Sequence, residues 1–83
     1  MKITVRYFAA IREALGQGEA VVASEGDTVG VLRDGLIARG APHATALARG
    51  SALRCAVDQT LCDESTPLHD GAEVAFFPPV TGG

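Results

Sequence analysis

Phe76-Phe77-Pro78-Pro79-Val80-Thr81-Gly82-Gly83 closes the sequence, and the way it is read decides how the rest is arranged. Pro78 and Pro79 have no backbone N–H and hold φ near about −65°, so a strand ending at Phe77 cannot carry its hydrogen-bond ladder further. The chain must leave the sheet there. At roughly 3.3 Å per residue, Pro78 to Gly83 reaches about 20 Å from the body. Gly82 and Gly83 carry no Cβ, so the last carboxyl group fits a channel too narrow for any other residue. From Ala75 onward there is no charged side chain. The remaining charge is the α-carboxylate of Gly83, ionised at neutral pH with a reference pKa of about 3.3–3.7. A carboxylate is a poor electrophile, so chemistry at this end requires prior activation, for which an adenylate made with ATP is the simplest form. Chain ends also finish in glycine because they fray. The aromatic strand, the double proline and the flush Gly-Gly together favour the chemical reading.

Working back from that end, Glu73 to Phe77 alternates, with Val74 and Phe76 on one face and Ala75 and Phe77 on the other. Asp70-Gly71 is a turn before it, and Leu68 a core residue before that. At the other end of the chain Lys2 to Phe8 alternates in the same way, with Ile3, Val5 and Tyr7 opposed to Thr4, Arg6 and Phe8. Ile11, Ala14 and Leu15 then take helical spacing, with Gly16 as terminator. Glu19 to Ala23 reads as a second strand ended by Ser24-Glu25-Gly26. Asp27 or Thr28 caps a main helix in which Val29, Leu32 and Leu36 form a stripe widened by Val31 and Ile37, and Gly40 ends it. Gly30 and Gly35 inside that helix imply a close approach to the sheet. Pro42 to Arg49 forms a further short helix, with Ala44, Leu47 and Ala48 inward, or an irregular connection.

Leu53 to Val57 and Thr60 to Cys62 read as a hairpin about Asp58-Gln59, although Gln suits a type I′ turn poorly. A two-residue loop pairs Val57 with Thr60, Ala56 with Leu61 and Cys55 with Cys62, placing Leu53, Cys55, Val57 and Cys62 inward and Leu61 outward. A cross-strand disulfide is conceivable there, but two reduced thiols packed as small hydrophobes is the simpler reading. The tally is four or five short strands, one main helix and one or two short ones: an α+β fold with helices on one side of a mixed sheet. If Val5, Tyr7, Val74 and Phe76 are core, then Phe8, Leu61 and Phe77 lie on the far face, either as a docking patch or beneath a minor helix or loop.

Eighty-three residues make one small domain, read as a body over 1–77 and a tail over 78–83. A net charge of −3 without a Lys/Arg cluster argues against nucleic acid or an anionic membrane as partner. The absence of a long apolar run or a signal segment makes cytoplasmic the default location. No phosphate loop, zinc motif or nucleophile elbow occurs, so an active site or metal of its own is not expected. His43 and His69 read as solvated surface, Arg12 and Glu13 as a solvated helix face, and the acidic residues generally as solubility charges.

Phe8-Ala9 with Arg12-Glu13, Gly26-Asp27-Thr28-Val29, Ala56-Val57-Asp58-Gln59, Pro67-Leu68, Asp70-Gly71, Glu73-Val74-Ala75 and the closing Phe76 to Gly83 resemble the small subunit of molybdopterin synthase, the MoaD type of sulfur carrier. The resemblance spans essentially the whole chain. It implies a ubiquitin-like β-grasp fold whose C-terminal glycine is adenylated, with ATP, by a MoeB-type activating enzyme and then converted to a thiocarboxylate. It also implies hetero-oligomeric assembly with a MoaE-type large subunit and delivery of sulfur to cyclic pyranopterin monophosphate, which builds the molybdopterin dithiolene. Under this resemblance Gly83 carries the acyl group and sulfur. Gly82, with Thr81 and Val80, threads the tail, Pro78 and Pro79 direct it, and Phe8, Leu61 and Phe77 dock. No cofactor is bound permanently. Ala72, Asp58 and the two cysteines depart from the family's usual residues. A thiazole-forming sulfur carrier, a ubiquitin-like protein modifier and a plain interaction domain are the alternatives.

Overall fold

The computed structural model describes residues 1–24 and 26–79. Val80, Thr81, Gly82 and Gly83, the tail residues singled out above, lie outside the described residues. Five strands, β1 (Lys2–Tyr7), β2 (Glu19–Ala23), β3 (Arg54–Val57), β4 (Thr60–Cys62) and β5 (Glu73–Phe77), and three helices, α1 (Ala9–Leu15), α2 (Val29–Ile37) and α3 (His43–Ala46), follow in the order β1-α1-β2-α2-α3-β3-β4-β5. The strands form one sheet in the order β2-β1-β5-β3-β4. β5 sits at its centre, parallel to β1 and antiparallel to β3. This mixed sheet with helices packed on one face is the β-grasp arrangement expected from the sequence.

Alternation along the strands decides which side is filled. Ile3, Val5 and Tyr7 of β1 and Val74 and Phe76 of β5 are buried together with Ile11, Val29, Leu32, Leu36 and Leu47 from the helical side. Tyr7 and Phe76 are each only 1% exposed, and burial raises the Tyr7 hydroxyl above the ordinary phenol range. Gly16, at φ 73°, ends α1, and its N–H donates to the Arg12 carbonyl at 2.9 Å. The hydroxyl of Thr28 caps α2, accepting from the Val31 N–H at 3.3 Å.

Several expectations need correction. Ala14 is exposed rather than inward. Val31 does not widen the core stripe of α2, since it is 51% exposed. Gly30 does mark a close approach, but to a loop and not the sheet: a Cβ there would stand 3.2 Å from the Glu64 carbonyl oxygen, whereas one at Gly35 would meet nothing within 4 Å. The loop is close because it feeds the helix end. Val29 N–H donates to the Thr66 carbonyl at 3.1 Å and Gly30 N–H to that of Glu64 at 2.9 Å, satisfying donors that the first turn of a helix leaves without partners.

Arg33 is the residue that periodicity did not single out. It occupies the i+4 position after Val29 in the buried stripe of α2 and is 3% exposed. A buried charge is tolerable only when fully partnered. Its Nε donates to the Leu47 carbonyl at 2.8 Å, Nη2 to the Ala48 carbonyl at 2.6 Å, and Nη1 to Glu64 Oε2 at 2.7 Å. Glu64 also pairs with Arg49, which bonds Asp34 Oδ1 at 2.9 Å. These acids therefore tie α2 to the loops at 47–51 and 63–66 and are not merely solubility charges.

Candidate functional site

The hairpin register is the one that a two-residue loop requires: Val57 opposes Thr60, Ala56 opposes Leu61 and Cys55 opposes Cys62. Asp58 and Gln59 both take positive φ, 49° and 69°, as a turn matched to the twist of the strands needs, despite the unfavourable Gln. β3 begins at Arg54, one residue later than expected. This register puts Leu61 on the outer face, 63% exposed.

Across that face the pairings Arg6↔Ala75, Ala75↔Ala56 and Ala56↔Leu61 make one continuous row over four strands. Two alanines form its floor, flanked by a long side chain on either side. Phe8 and Phe77 stand at the end of the face where β5 leaves the sheet. Their ring centroids are 6.5 Å apart at 87°, the edge-to-face geometry that aromatic pairs favour. Small floor and large rim together shape an apolar hollow of about 630 Å³, whose lining includes Phe8, Leu61, Phe77, Pro78 and Pro79. Phe8 is 41% exposed. Thus the structure brings Phe8, Leu61 and Phe77 to one uncovered face, and no described helix lies over them.

Local backbone and charge hold the rim. Phe8 is extended, at φ −130° and ψ 156°, while Ala9 after it has φ 53°, a left-handed conformation that costs a residue with a Cβ roughly 1–2 kcal/mol. The sharp turn starts α1 while leaving the Phe8 ring on the outer face. Arg6 lies over that ring, 5.6 Å from its centroid. Its guanidinium bonds Glu73 Oε1 at 3.2 Å and approaches Glu19 Oε1 at 3.7 Å. Arg6 is therefore held by two carboxylates while it lies over the face of the Phe8 ring.

His69 is exposed yet not isolated. Its Nε2 lies 2.7 Å from Asp58 Oδ2, and Asp58 Oδ1 accepts from the Glu73 N–H at 3.0 Å. The hydrogen bond to Asp58, helped by the Asp70 carbonyl, raises the imidazole above its ordinary range, and the Glu73 N–H and His69 lower the Asp58 carboxyl. The contact fastens the hairpin turn to the start of β5. His43, in α3, joins none of these groups. Among the described residues no cluster of three or more His, Cys, Asp or Glu could hold a metal ion, and no helix is long and apolar enough to cross a membrane.

A mixed five-stranded sheet, helices on one face and an open apolar hollow beside the exit of its central strand define a small ubiquitin-like domain of the β-grasp class. The chain belongs to the ThiS family of sulfur carriers, whose sequence profile matches residues 5–83. It is 48% identical over 81 residues to the molybdopterin synthase sulfur carrier subunit of Escherichia coli (strain K12), covering 98% of this chain and 99% of that one. Its fold superposes on subunit 1 or 2 in the protein–protein complex of molybdopterin-converting factor from Helicobacter pylori, with TM-score 0.69, 26% identity and full coverage of both chains. SAMP1 from Haloferax volcanii is similar at TM-score 0.77 and 26% identity, again over the whole of both chains.

Proposed function

We propose that this chain is the sulfur-carrier subunit of a molybdopterin synthase, with a folded body over 1–77, a tail over 78–83 and Gly83 as the reacting residue. The observation that carries this reading is the 48% identity to a molybdopterin synthase sulfur carrier subunit over nearly the full length of both chains. The family match running through residue 83 supports Gly83 in particular. A MoeB-type activating enzyme forms the glycyl adenylate from ATP, expelling pyrophosphate. A sulfur donor then displaces AMP, leaving a thiocarboxylate. That sulfur is a good nucleophile. It attacks cyclic pyranopterin monophosphate within the active site of a MoaE-type large subunit, and hydrolysis of the resulting acyl link returns the carboxylate for another round. The chain itself supplies no catalytic side chain and holds no resident cofactor. Its work is done in the cytoplasm.

The outer face gives this chemistry its positioning energy. Ordering four tail residues costs about 4–8 kcal/mol in backbone entropy. Seating Phe8, Leu61 and Phe77 on the large subunit offsets that cost, and the H. pylori complex supports a two-subunit assembly for this family. Pro78 and Pro79, already lining the hollow, set the direction in which Val80, Thr81, Gly82 and Gly83 continue. Intact-mass measurement after incubation with ATP, the activating enzyme and a sulfur source is expected to show one oxygen replaced by sulfur at Gly83. An unchanged mass with an enzyme that activates another carrier would overturn the proposal. An isopeptide link from Gly83 to lysines would move it to protein modification.

A further inference from the structure

Cys55 and Cys62 stand directly opposite one another in β3 and β4. Both are free thiols, and their Sγ atoms are 3.9 Å apart. Sulfur transfer at the tail makes no use of them. Their side chains lie on the core side of the hairpin, behind the Ala56 and Leu61 pair of the outer face. A disulfide requires Cα atoms about 4.4–6.8 Å apart. Residues paired directly across an antiparallel ladder are about 4.5 or 5.5 Å apart, according to whether they exchange hydrogen bonds. Either spacing falls inside the window. Directly opposed Cβ atoms are about 4.5–5.5 Å apart, against about 3.5–4.5 Å in a disulfide, so closing the sulfurs to a bond of about 2.05 Å asks for side-chain rotation and a small drawing-in of the two strands.

The two thiols are unequal. Cys55 is 4% exposed, and its S–H donates to the Cys62 carbonyl at 3.3 Å. Burial first, then the neighbouring Cys62, pushes the Cys55 thiol up to about 12, with Glu64 and Asp63 acting in the same direction. Cys62 is half-buried and reachable from solvent. An incoming reagent meets Cys62 first, and Cys55 waits behind it within reach of the same sulfur.

We propose that Cys55 and Cys62 form a redox-active dithiol, a modification site at which a low-molecular-weight disulfide of the glutathione class converts the pair to an intramolecular cross-strand disulfide. The Cys62 thiolate attacks one sulfur of the small disulfide, forming a mixed disulfide and expelling one thiolate. Cys55 gives up its proton and attacks Cys62 Sγ. The Cys55–Cys62 bond forms as the Cys62 bond to the small thiol breaks and a second thiolate leaves. The protein gives up two electrons and two protons, and the small disulfide becomes two thiols. The product ties the two strands on the core side while Leu61 stays on the outer one.

The test uses the full chain alone, with neither the activating enzyme nor the large subunit, so its outcome is independent of the sulfur-carrier reading. The protein is equilibrated across reduced and oxidised glutathione mixtures, quenched with acid, alkylated under denaturing conditions and weighed. Toward the oxidising end the monomer is expected to lose both alkylatable thiols and the mass of two hydrogens. Cys55→Ala, which removes the second attacker, is expected to stop at a stable glutathione adduct on Cys62, and Cys62→Ala to take up no glutathione at the buried Cys55. A wild-type chain that keeps both thiols in the most oxidising mixture, ends as a disulfide-linked dimer, or stops at a glutathione adduct would overturn the proposal. The wild-type result decides even if a variant fails to fold.

Discussion

In β5, Val74 and Phe76 are packed beneath the helices, while Ala75 and Phe77, each one residue away, face an open hollow. The same holds at the end of β1, where Tyr7 is buried and Phe8, next in the chain, is exposed. A pleated strand sends successive side chains to opposite faces, so large apolar groups of similar chemistry are divided between two uses. Those on the inner face are consumed in stabilising the fold. Those on the outer face are left exposed, as Phe8 and Leu61 are, or half-buried, as Phe77 is. For so small a body this division is economical, because one sheet both walls the core and shapes an open apolar hollow on its other side.

The sharpest way to break this comparison is to truncate the two adjacent phenylalanines separately. Phe76→Ala is expected to cost about 3–5 kcal/mol of unfolding free energy, the range for removing a buried aromatic ring, as measured by urea denaturation. A loss below about 1 kcal/mol would show that the inner face is not the core. Phe77→Ala is expected to do the reverse. It should change stability by about 1 kcal/mol or less and weaken binding to the large subunit by about 2 kcal/mol, near thirtyfold, as for an aromatic anchor in a contact surface. Calorimetric titration with an unaltered affinity would remove Phe77 from that surface.

Smaller effects come from positions on neither face. Gly35→Ala should raise stability by about 0.5–1 kcal/mol, since a helix interior favours alanine and the new methyl group meets nothing. Gly30→Ala should gain less or lose, because its methyl group would press on the Glu64 carbonyl. Parallel thermal melts of the two variants check this difference. The smallest effect belongs to His69. Its folded pKa is raised, so its contribution is fully present below about pH 6.5 and is lost as pH rises through the raised folded value. Asp58, lowered in the folded state, acts in the opposite sense and loses its contribution as pH falls through its folded value. The unfolding midpoint of the wild-type chain should therefore slip slightly between pH 6 and pH 8 relative to His69→Gln. Equal slopes for the two proteins would mean that the contact contributes nothing.

Much of this was legible in the sequence because strand parity is a strict rule. Once Val5, Tyr7, Val74 and Phe76 were assigned inward, Phe8, Leu61 and Phe77 had to fall together outside, and the two-residue loop at Asp58-Gln59 determined which residues of the hairpin would meet. Helical spacing was less decisive. It included Val31 in the stripe of α2, where the helix in fact turns that side chain to solvent. It passed over Arg33, although that residue sits at a stripe position, because a charge reads as surface until the carbonyl groups of Leu47 and Ala48 and the carboxylate of Glu64 are brought around it. Those partners lie on loops distant in sequence, which no local pattern reveals. Gly30 escapes local reading for the same reason, since its neighbour is a loop and not the sheet, while Gly35 has no close neighbour at all.

The central place of β5 bears on how the molecule is assembled. Its neighbours, β1 and β3, have no ladder of their own with each other. A nascent polypeptide that has emerged only through Leu68 contains both outer strand pairs, β1-β2 and β3-β4, but no strand that joins them into one sheet. Cooperative closure waits for residues 73–77, and contacts so far apart in sequence form slowly. Ribosomal products cut short of that segment have no sheet centre, and the row of Arg6, Ala75, Ala56 and Leu61 across the outer face is broken in its middle.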